Sequence, residues 1–154
     1  MNEYSFILQL KIKMKLVTLI ALIILGSPYQ AERNQKIFIT IKGLHNNKGK
    51  VYVSLYNSED GYPTEPEKAF RKTSCMIHNN QCTLIFDNLP NGFYAIACYH
   101  DENDNGKFDF NFFHIPLEGS GASNNAIGVL GPPKFKDAKF YLNADINQLI
   151  TISY

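Results

Sequence analysis

Residues 37–56 read IFITIKGLHNNKGKVYVSLY, and this stretch decides the fold class. Apolar residues occupy every second position in both halves of it. These positions are Ile37, Ile39, Ile41, Val51, Val53 and Leu55. A period of two is that of a β-strand with one buried face, whereas a helix repeats every 3.6 residues. Because the segment Gly43–Lys50 between them is rich in Asn and Gly, the pattern predicts two strands joined as a hairpin.

Further strand-like segments follow along the chain, with turn residues between them. They lie at about 72–76, 81–86, 93–99, 139–142 and 149–153. One short helix is expected at 65–72, where Pro66 suits a first helical turn. Seven short strands predict an all-β chain, an antiparallel sandwich in which each sheet buries its apolar face against the other.

The turn inside residues 86–94 (FDNLPNGFY) supports the same architecture. Pro90 fixes its own backbone angle, Gly92 permits a positive φ, and a strand begins directly afterwards. A strand, an LPxGxY turn and a second strand together resemble transthyretin-like and collagen-adhesin B-type domains. The resemblance implies an Ig-like or transthyretin-like sandwich.

The N-terminal segment is typical of a signal peptide. Lys11, Lys13 and Lys15 precede an apolar run at 16–26, LVTLIALIILG. That run is shorter than the roughly 18 residues that a membrane-spanning helix needs. The pattern predicts a signal peptide at 1–31 and a single sandwich domain at 32–154, exported to the periplasm or beyond the cell.

Two points about this segment stay open. The cleavage point near Ala31 is uncertain because Tyr29 does not fit the small-x-small rule, and Met14 is an alternative start. A buried N-terminal helix is the other interpretation of the same residues.

The charge balance makes nucleic acid the least supported class of partner. Residues 32–154 carry 12 basic and 13 acidic side chains, a formal net charge of −1. Such a domain has no general attraction to nucleic acid or to an anionic lipid surface. An unidentified ligand of the cell envelope or the extracellular space is expected instead, with no membrane span after signal removal and no indication of oligomeric state.

The three cysteines matter because thiols can pair stably outside the cytoplasm. Cys75 and Cys82 flank MIHNNQ, in which Asn79 and Asn80 suit a tight turn. A loop at 77–80 would place the two cysteines opposite each other on paired strands, although another register or pairing is open. The favoured expectation is a Cys75–Cys82 disulfide, with Cys98 a buried free thiol.

An acidic loop follows the strand that ends at Tyr99. It reads HDENDNGKFD from residue 100 to residue 109. Its oxygen-bearing residues match positions 1, 3, 5, 7 and 9 of the helix-flanked calcium loop, with a Gly at position 6. These are Asp101, Asn103, Asn105, the carbonyl of Lys107, and Asp109. Ca²⁺ takes six to eight hard oxygen ligands, so the spacing predicts a calcium site.

Two departures from that motif change the expected site. Phe112 stands where the motif has a bidentate Glu, and a strand rather than a helix precedes the loop, which excludes a helix-loop-helix sensor. Water, Asp104 or Glu118 would complete the ligands, with a dissociation constant on the order of 10⁻⁴–10⁻³ M. The alternative is a metal-free turn whose Asp and Asn side chains cap its own amides.

Residues 111–135 (NFFHIPLEGSGASNNAIGVLGPPKF) hold no strand or helix period for long. Long irregular loops in compact domains tend to be functional, so this loop and the acidic loop together are the expected ligand surface. The alternative is a loop that only covers one end of the sandwich. Four nearby phenylalanines at 108, 110, 112 and 113 are expected to pack inside, following the usual burial of Phe.

Residues 99–141 (YHDENDNGKFDFNFFHIPLEGSGASNNAIGVLGPPKFKDAKFY), with LPNGFYAIACYHDEN before them and the terminal ITISY, resemble a bacterial secreted family known as domain of unknown function number 2141. The resemblance spans nearly all of residues 32–154. It implies an exported single-domain sandwich and no established activity. The chain departs from the family pattern at His114, where Gly often precedes Ile-Pro, and at Ser120 and Ala122, where aromatics are common.

Three functions compete. The leading prediction is a non-catalytic module that binds Ca²⁺ and is not an enzyme. The alternative is a hydrolase in which His100 or His114 works with Asp101 and Glu118. The chain has no nucleophile elbow, no HExxH and no zinc-type Cys/His spacing to support catalysis. An adhesion or structural role shares the features of the first prediction.

Overall fold

The computed structural model describes residues 3–25, 34–113, 115–129 and 131–154, with the backbone alone at 16–25. The chain forms two compact units, Met1–Ala31 and Glu32–Tyr154. The first unit contains helix α1, Glu3–Leu25. Within the described residues, no helix combines the length and hydrophobicity that a bilayer crossing requires. The expected cleavage point near Ala31 lies outside these residues.

The second unit contains eight strands, one short helix and two 3₁₀ turns. The strands are β1 Gln35–Lys42, β2 Lys50–Tyr56, β3 Arg71–Met76, β4 Gln81–Leu89, β5 Gly92–Asp101, β6 Ser120–Ala122, β7 Phe140–Leu142 and β8 Ile146–Thr151. Helix α2 is Phe135–Ala138 and the 3₁₀ turns are Pro66–Lys68 and Ser123–Asn125. All seven expected strands form and β6 is additional. The helix expected at 65–72 is only a 3₁₀ turn, because Ala69 is already extended.

The strands form two sheets, so the all-β sandwich is confirmed. One sheet has the order β4-β1-β8, and the other has the order β3-β2-β5-β6 with β7 also paired to β5. Neighbouring strands are antiparallel except β1 and β8, which are parallel.

The hairpin expected between β1 and β2 does not form, because the two strands lie in different sheets. Their alternating apolar residues face each other across the interior, and Ile37 and Val51 are both fully buried. Segment 43–49 therefore crosses from one sheet to the other. It places Leu44, 3% exposed, into the core at the crossing.

Strands β3 and β4 also lie in different sheets. Cys75 pairs across from Val51 and Cys82 from Ile41, so the two cysteines are not ladder partners. The Cys75–Cys82 disulfide nevertheless forms, with a Cα–Cα distance of 6.1 Å, and it joins the two sheets. The expected tight turn at Asn79–Asn80 is present, closed by two hydrogen bonds between His78 and Gln81.

The third cysteine is the expected buried thiol. Cys98 is free, and burial raises its pKa to about 12. The thiol is therefore protonated at neutral pH and a poor nucleophile.

The turn before β5 fixes where that strand begins. Tyr94 is buried, and its hydroxyl donates a hydrogen bond of 3.0 Å to the carbonyl oxygen of Pro90. The left-handed residue of this turn is Asn88, with φ 51°, and not Gly92 as expected.

The sandwich has a core of its own. Every residue of the main buried cluster lies between 37 and 152. The cluster draws on both sheets, so the two sheets share one core.

Candidate functional site

The acidic loop starts from Asp101, the last residue of β5, which is fully buried. Its Oδ1 accepts a hydrogen bond of 3.1 Å from the Asn105 amide, and its Oδ2 accepts one of 2.7 Å from the Gly106 amide. Gly106 has φ +75° and makes the bend that aims both amides inward. Asp101, position 1 of the expected calcium loop, therefore has its carboxylate fixed by two amides of the loop itself.

Asn103, Asn105 and Asp109 close the same loop. The Nδ2 atoms of Asn103 and Asn105 donate to Asp109 Oδ2 at 2.7 Å and 2.8 Å. Each Asn Oδ1 accepts a bond from the amide two residues later, at Asn105 and Lys107. The structure thus brings together the side chains that the calcium-loop spacing predicted. Here the side chains of Asp101, Asn103 and Asn105 accept hydrogen bonds from backbone amides of the same loop.

Glu118 joins this cluster from the following segment. It is 6% exposed, and its Oε1 and Oε2 accept bonds from the amides of Glu102 at 3.2 Å and Asp109 at 3.1 Å. Burial raises its pKa, with Asp101 and Asp109 adding to the effect and the two amide bonds acting against it. Asp104, the other possible completing ligand, instead forms an ion pair with Lys50 at 3.0 Å.

Gly49 packs closely against the backbone at the start of the acidic loop. A Cβ at this position would lie 1.7 Å from the carbonyl oxygen of Asp101, and its φ is +62°. No side chain therefore fits between segment 43–49 and the start of the acidic loop. The sequence showed Gly49 only as a turn residue, because its contact with Asp101 is a tertiary one.

Among the described residues, no three His, Cys, Asp or Glu side chains are placed to hold a metal by themselves. The oxygen atoms of the acidic loop that could ligate a metal are a wider set than these four residue types supply. They also include the Asn amide oxygens and the Lys107 carbonyl oxygen. Any ion bound here would depend on those neutral oxygens together with Asp101, Asp109 and Glu118. Such an all-oxygen set is one that Ca²⁺ accepts.

A short β-hairpin rises from the loop between Asp109 and Glu118. The Leu117 amide donates to the Asp109 carbonyl, and the Asn111 amide donates to the Ile115 carbonyl, both at 2.9 Å. Asn111 Oδ1 also accepts bonds from the amides of Phe113 and Ile115. The turn of this hairpin is therefore held by its own polar contacts.

The hairpin exposes side chains that were expected to be buried. Phe112 is 92% exposed and Phe113 is 77% exposed. The expectation was wrong because both residues stand on the turn, where no sheet lies beneath them. Phe108 does pack, with its ring centroid 5.3 Å from that of Tyr99.

Segment 111–135 is not one irregular loop. Residues 120–122 pair with β5 as strand β6, and the Ser123 hydroxyl binds the Ile96 amide at 2.8 Å and the Ala138 carbonyl at 2.7 Å. Ile96 lies five residues before Asp101 on β5, or roughly 17 Å away. At Ser123 the segment has therefore moved away from the acidic loop, whereas Gly119 still adjoins it, because its carbonyl accepts a hydrogen bond of 2.8 Å from the His100 amide.

His100 is fully buried beside the loop, and both ring nitrogens are bonded. Nε2 lies 2.8 Å from the Lys48 carbonyl oxygen, to which it donates, and Nδ1 lies 2.6 Å from the Tyr154 hydroxyl and 3.8 Å from Glu102 Oε1. That hydroxyl also accepts from the His45 amide at 3.1 Å. Both ring nitrogens of His100 therefore have protein partners in this arrangement. His114, the other histidine of the hydrolase alternative, lies outside the described residues.

Comparison with curated proteins gives no match, and comparison with solved structures gives none either. One family model, described as an uncharacterized protein conserved in bacteria (DUF2141), matches residues 39–150. The match includes the whole acidic loop, the hairpin above it and most strands of the sandwich. The chain therefore belongs to the DUF2141 family of bacterial proteins.

Proposed function

We propose that the sandwich domain is an exported, non-catalytic module that binds one Ca²⁺ in the loop at 101–109, with Glu118 as an added ligand. One observation carries the proposal: Glu118 reaches the loop from outside it and bonds to the amides of Glu102 and Asp109. Glu118 thereby adds a third carboxylate to those of Asp101 and Asp109, both of which act electrostatically on it.

The ligand set follows from these contacts. One oxygen each from Asp101, Asp109 and Glu118, the two Asn side chains and the Lys107 carbonyl makes six, the lower limit for Ca²⁺. Binding requires the amides of Asn103 and Asn105 to turn over, so that Oδ1 replaces Nδ2 beside Asp109. This rearrangement and the missing bidentate Glu keep the affinity low, on the order of 10⁻⁴–10⁻³ M.

Charge supports a cation at this place. Residues 101–109 contain four carboxylates and one lysine. Carboxylates this close repel one another, and a divalent ion removes that repulsion. Buffering calcium would require many such sites on one domain. A single weak site instead fits a structural role, or the presentation of a binding surface, in a calcium-rich environment outside the cell.

A calcium titration of residues 32–154, followed by thermal melting and calorimetry, tests the metal site. At about 10 mM Ca²⁺ the expected affinity adds about 1.4–2.7 kcal/mol, which raises the melting temperature by about 5–10 °C. Mg²⁺ demands a smaller octahedral site and should have little effect. An unchanged melting temperature in Ca²⁺ would contradict the proposal.

Export is supported by the disulfide between Cys75 and Cys82 and by the Lys-rich, apolar segment at 11–26. Expression in a bacterium, followed by N-terminal sequencing, tests it. The expected product starts near residue 32 and lies outside the cytoplasm. An uncleaved chain with reduced cysteines in the cytoplasm would contradict export without touching the calcium site.

A further inference from the structure

The sandwich has two sides at which the edges of its sheets face each other, and one of them is closed by the chain itself. On the β6–β8 side, Ser120 and Ser153 exchange backbone hydrogen bonds of 2.8 Å and 2.9 Å. Asn125 caps the edge of β8, because its Oδ1 accepts from the Thr151 amide at 2.8 Å and its Nδ2 donates to the Leu149 carbonyl at 3.4 Å. The free edge of β8 is therefore covered.

The β3–β4 side is more open. Strand β4 pairs with β1 and, among the described residues, with no strand on its other side. The Cys75–Cys82 disulfide joins β3 to β4 at one end. At the other end, the Arg71 guanidinium donates to the carbonyl oxygens of Asp87 and Asn88 at 2.7 Å and 3.2 Å. Between these two links lies an open groove of about 390 Å³, lined by Arg71, Lys72, Thr73, Ile85, Phe86 and Asp87.

The edge of β4 along this groove has no built-in protection against pairing. Proteins guard exposed edge strands with charged side chains, above all Lys, with Pro, or with a bulge. Strand β3 begins with Arg71 and Lys72, whereas residues 81–86 of β4 read QCTLIF and contain neither a charge nor a Pro. The bulge in the β1–β4 pair comes only after Phe86. Strand β4 therefore presents a regular edge that another strand can join.

Apolar side chains on both faces of β4 are incompletely covered. On the outer face, Ile85 is 54% exposed and pairs with Phe38 of β1, which is 37% exposed. On the inner face, Leu84 is only partly buried, although Cys82 and Phe86 beside it are 4% and 5% exposed. A strand added to β4 would cover apolar surface on both faces and pair the free main-chain groups.

A second copy of β4 fits this edge. Side chains directly opposite each other in a sheet lie on the same face, so two antiparallel β4 strands must be centred on a residue and not between two residues. Centring on Leu84, the midpoint of 82–86, places Thr83 opposite Ile85 of the partner subunit. It also places Cys82 opposite Phe86 of the partner subunit. Each pair is compatible and no like charges meet. Two-fold pairing of one surface with itself is also the commonest form of protein self-association.

We propose that two copies of the domain associate edge to edge through β4, about a two-fold axis at Leu84, so that their three-stranded sheets form one sheet of six strands. The contact forms about two to four main-chain hydrogen bonds. A contact made by one strand edge falls below the about 1,200 Å² of a stable interface, so the dimer is weak, with a Kd of about 10 μM to 1 mM. The calcium site plays no part in it.

Sedimentation of the purified chain from about 10 μM to 1 mM tests the association, in EDTA so that calcium is excluded. The unmodified chain should pass from monomer to dimer over this range. Thr83→Lys with Ile85→Lys should weaken the dimer at least about ten-fold, because lysines of the two copies then lie directly opposite each other. Both side chains are exposed, so the domain itself should tolerate the change.

The matched control adds the same charge to the covered edge. Leu149 and Thr151 lie on the same outer face as Thr83 and Ile85, but on β8, and both are exposed. Leu149→Lys with Thr151→Lys should change the dimer Kd by less than about two-fold, since the site is distant from the interface. All variants share the N-terminal segment, so that segment cannot account for a difference between them.

Cross-linking tests the register without a change in charge. Residues opposite each other have Cα atoms about 4.5–5.5 Å apart, within disulfide reach. A mixture of Thr83→Cys chains and Ile85→Cys chains should therefore form covalent dimers under mild oxidation more readily than either variant alone. The mixture of Leu149→Cys and Thr151→Cys chains should give only the background yield.

The possible results decide the proposal. A chain that stays monomeric up to about 1 mM overturns it. Association that persists unchanged in the β4 lysine variant, or that weakens equally in the β8 variant, overturns the β4 interface. Covalent dimers formed as readily by one cysteine variant alone overturn the axis at Leu84. Loss of the dimer in the β4 variant only, together with preferential cross-linking of the mixture, supports the proposal.

Discussion

Glu118 accepts a hydrogen bond of 3.1 Å from the amide of Asp109, and these two residues are the two ends of the hairpin that rises from the acidic loop. The contact closes the hairpin and adds a buried carboxylate to the loop. Calcium binding and closure of the hairpin are therefore expected to depend on the same residue.

Glu118→Gln tests that residue. The variant keeps one acceptor oxygen but loses the charge, so the dissociation constant for Ca²⁺ should rise at least about ten-fold, or about 1.4 kcal/mol. Asp104→Asn is the matched control in the same loop, because Asp104 is 53% exposed and pairs with Lys50. Calorimetry should show less than about a three-fold change for it. Equal effects of the two variants would mean that general charge, not a defined ligand, governs binding.

Tyr154→Phe tests the support of His100. Its hydroxyl lies within hydrogen-bond distance of His100 Nδ1 and accepts a hydrogen bond from the His45 amide, so its removal takes a hydrogen-bond partner from each of these groups. The free energy of unfolding should fall by about 1–3 kcal/mol in urea denaturation. Tyr141→Phe is the control: Tyr141 is 53% exposed, its hydroxyl has no hydrogen bond among the described residues, and little change is expected. Similar losses in both would contradict the buried network.

Gly49→Ala tests the close approach beneath the acidic loop. The added Cβ would overlap the Asp101 carbonyl at a backbone φ of +62°, so a loss of at least about 2 kcal/mol is expected. Gly92→Ala is the control, because its Cβ would meet only Tyr94 at an ordinary 3.8 Å. Chemical denaturation should place that control within about 0.5 kcal/mol of the unmodified domain. A Gly49→Ala variant of unchanged stability would refute the packing.

Thiol labelling tests the cysteine arrangement. With iodoacetamide and mass spectrometry of residues 32–154, we expect no label on the native domain, because the only free thiol, Cys98, is buried with a pKa near 12. Denaturation without reductant should expose one thiol, and denaturation with reductant should expose all three. Three labelled thiols without reductant would show that Cys75 and Cys82 are not bonded.

The strands could be predicted because their signal is local. Alternation in 37–41 and 51–55 is visible within five residues, and it says which face of each strand is buried. It does not say which sheet a strand joins, since the alternation is the same in either. The crossing at 43–49, the parallel β1–β8 pair and the sheet-to-sheet disulfide therefore became visible only in the structure. Strand β6, Ser120–Ala122, has no apolar alternation and depends on the edge of β5.

In the candidate site, too, contacts between residues close in the sequence could be predicted, and contacts between distant residues could not. Contacts among Asp101, Asn103, Asn105 and Asp109 span nine residues of chain, so their spacing reveals them, and Glu118 is close enough to be considered. Tyr154 supports His100 across 54 residues, and no pattern in the sequence links the two. The run FNFF is equally apolar whether buried or exposed, so the hairpin geometry alone decides that Phe112 faces solvent.

A crystal structure of residues 32–154 grown with Ca²⁺ tests the central claim most directly. We predict one ion about 2.3–2.6 Å from oxygens of Asp101, Asn103, Asn105, Lys107, Asp109 and Glu118, with the two Asn amides turned over. Unaltered Asn–Asp109 hydrogen bonds and no ion in the loop at saturating Ca²⁺ would contradict it.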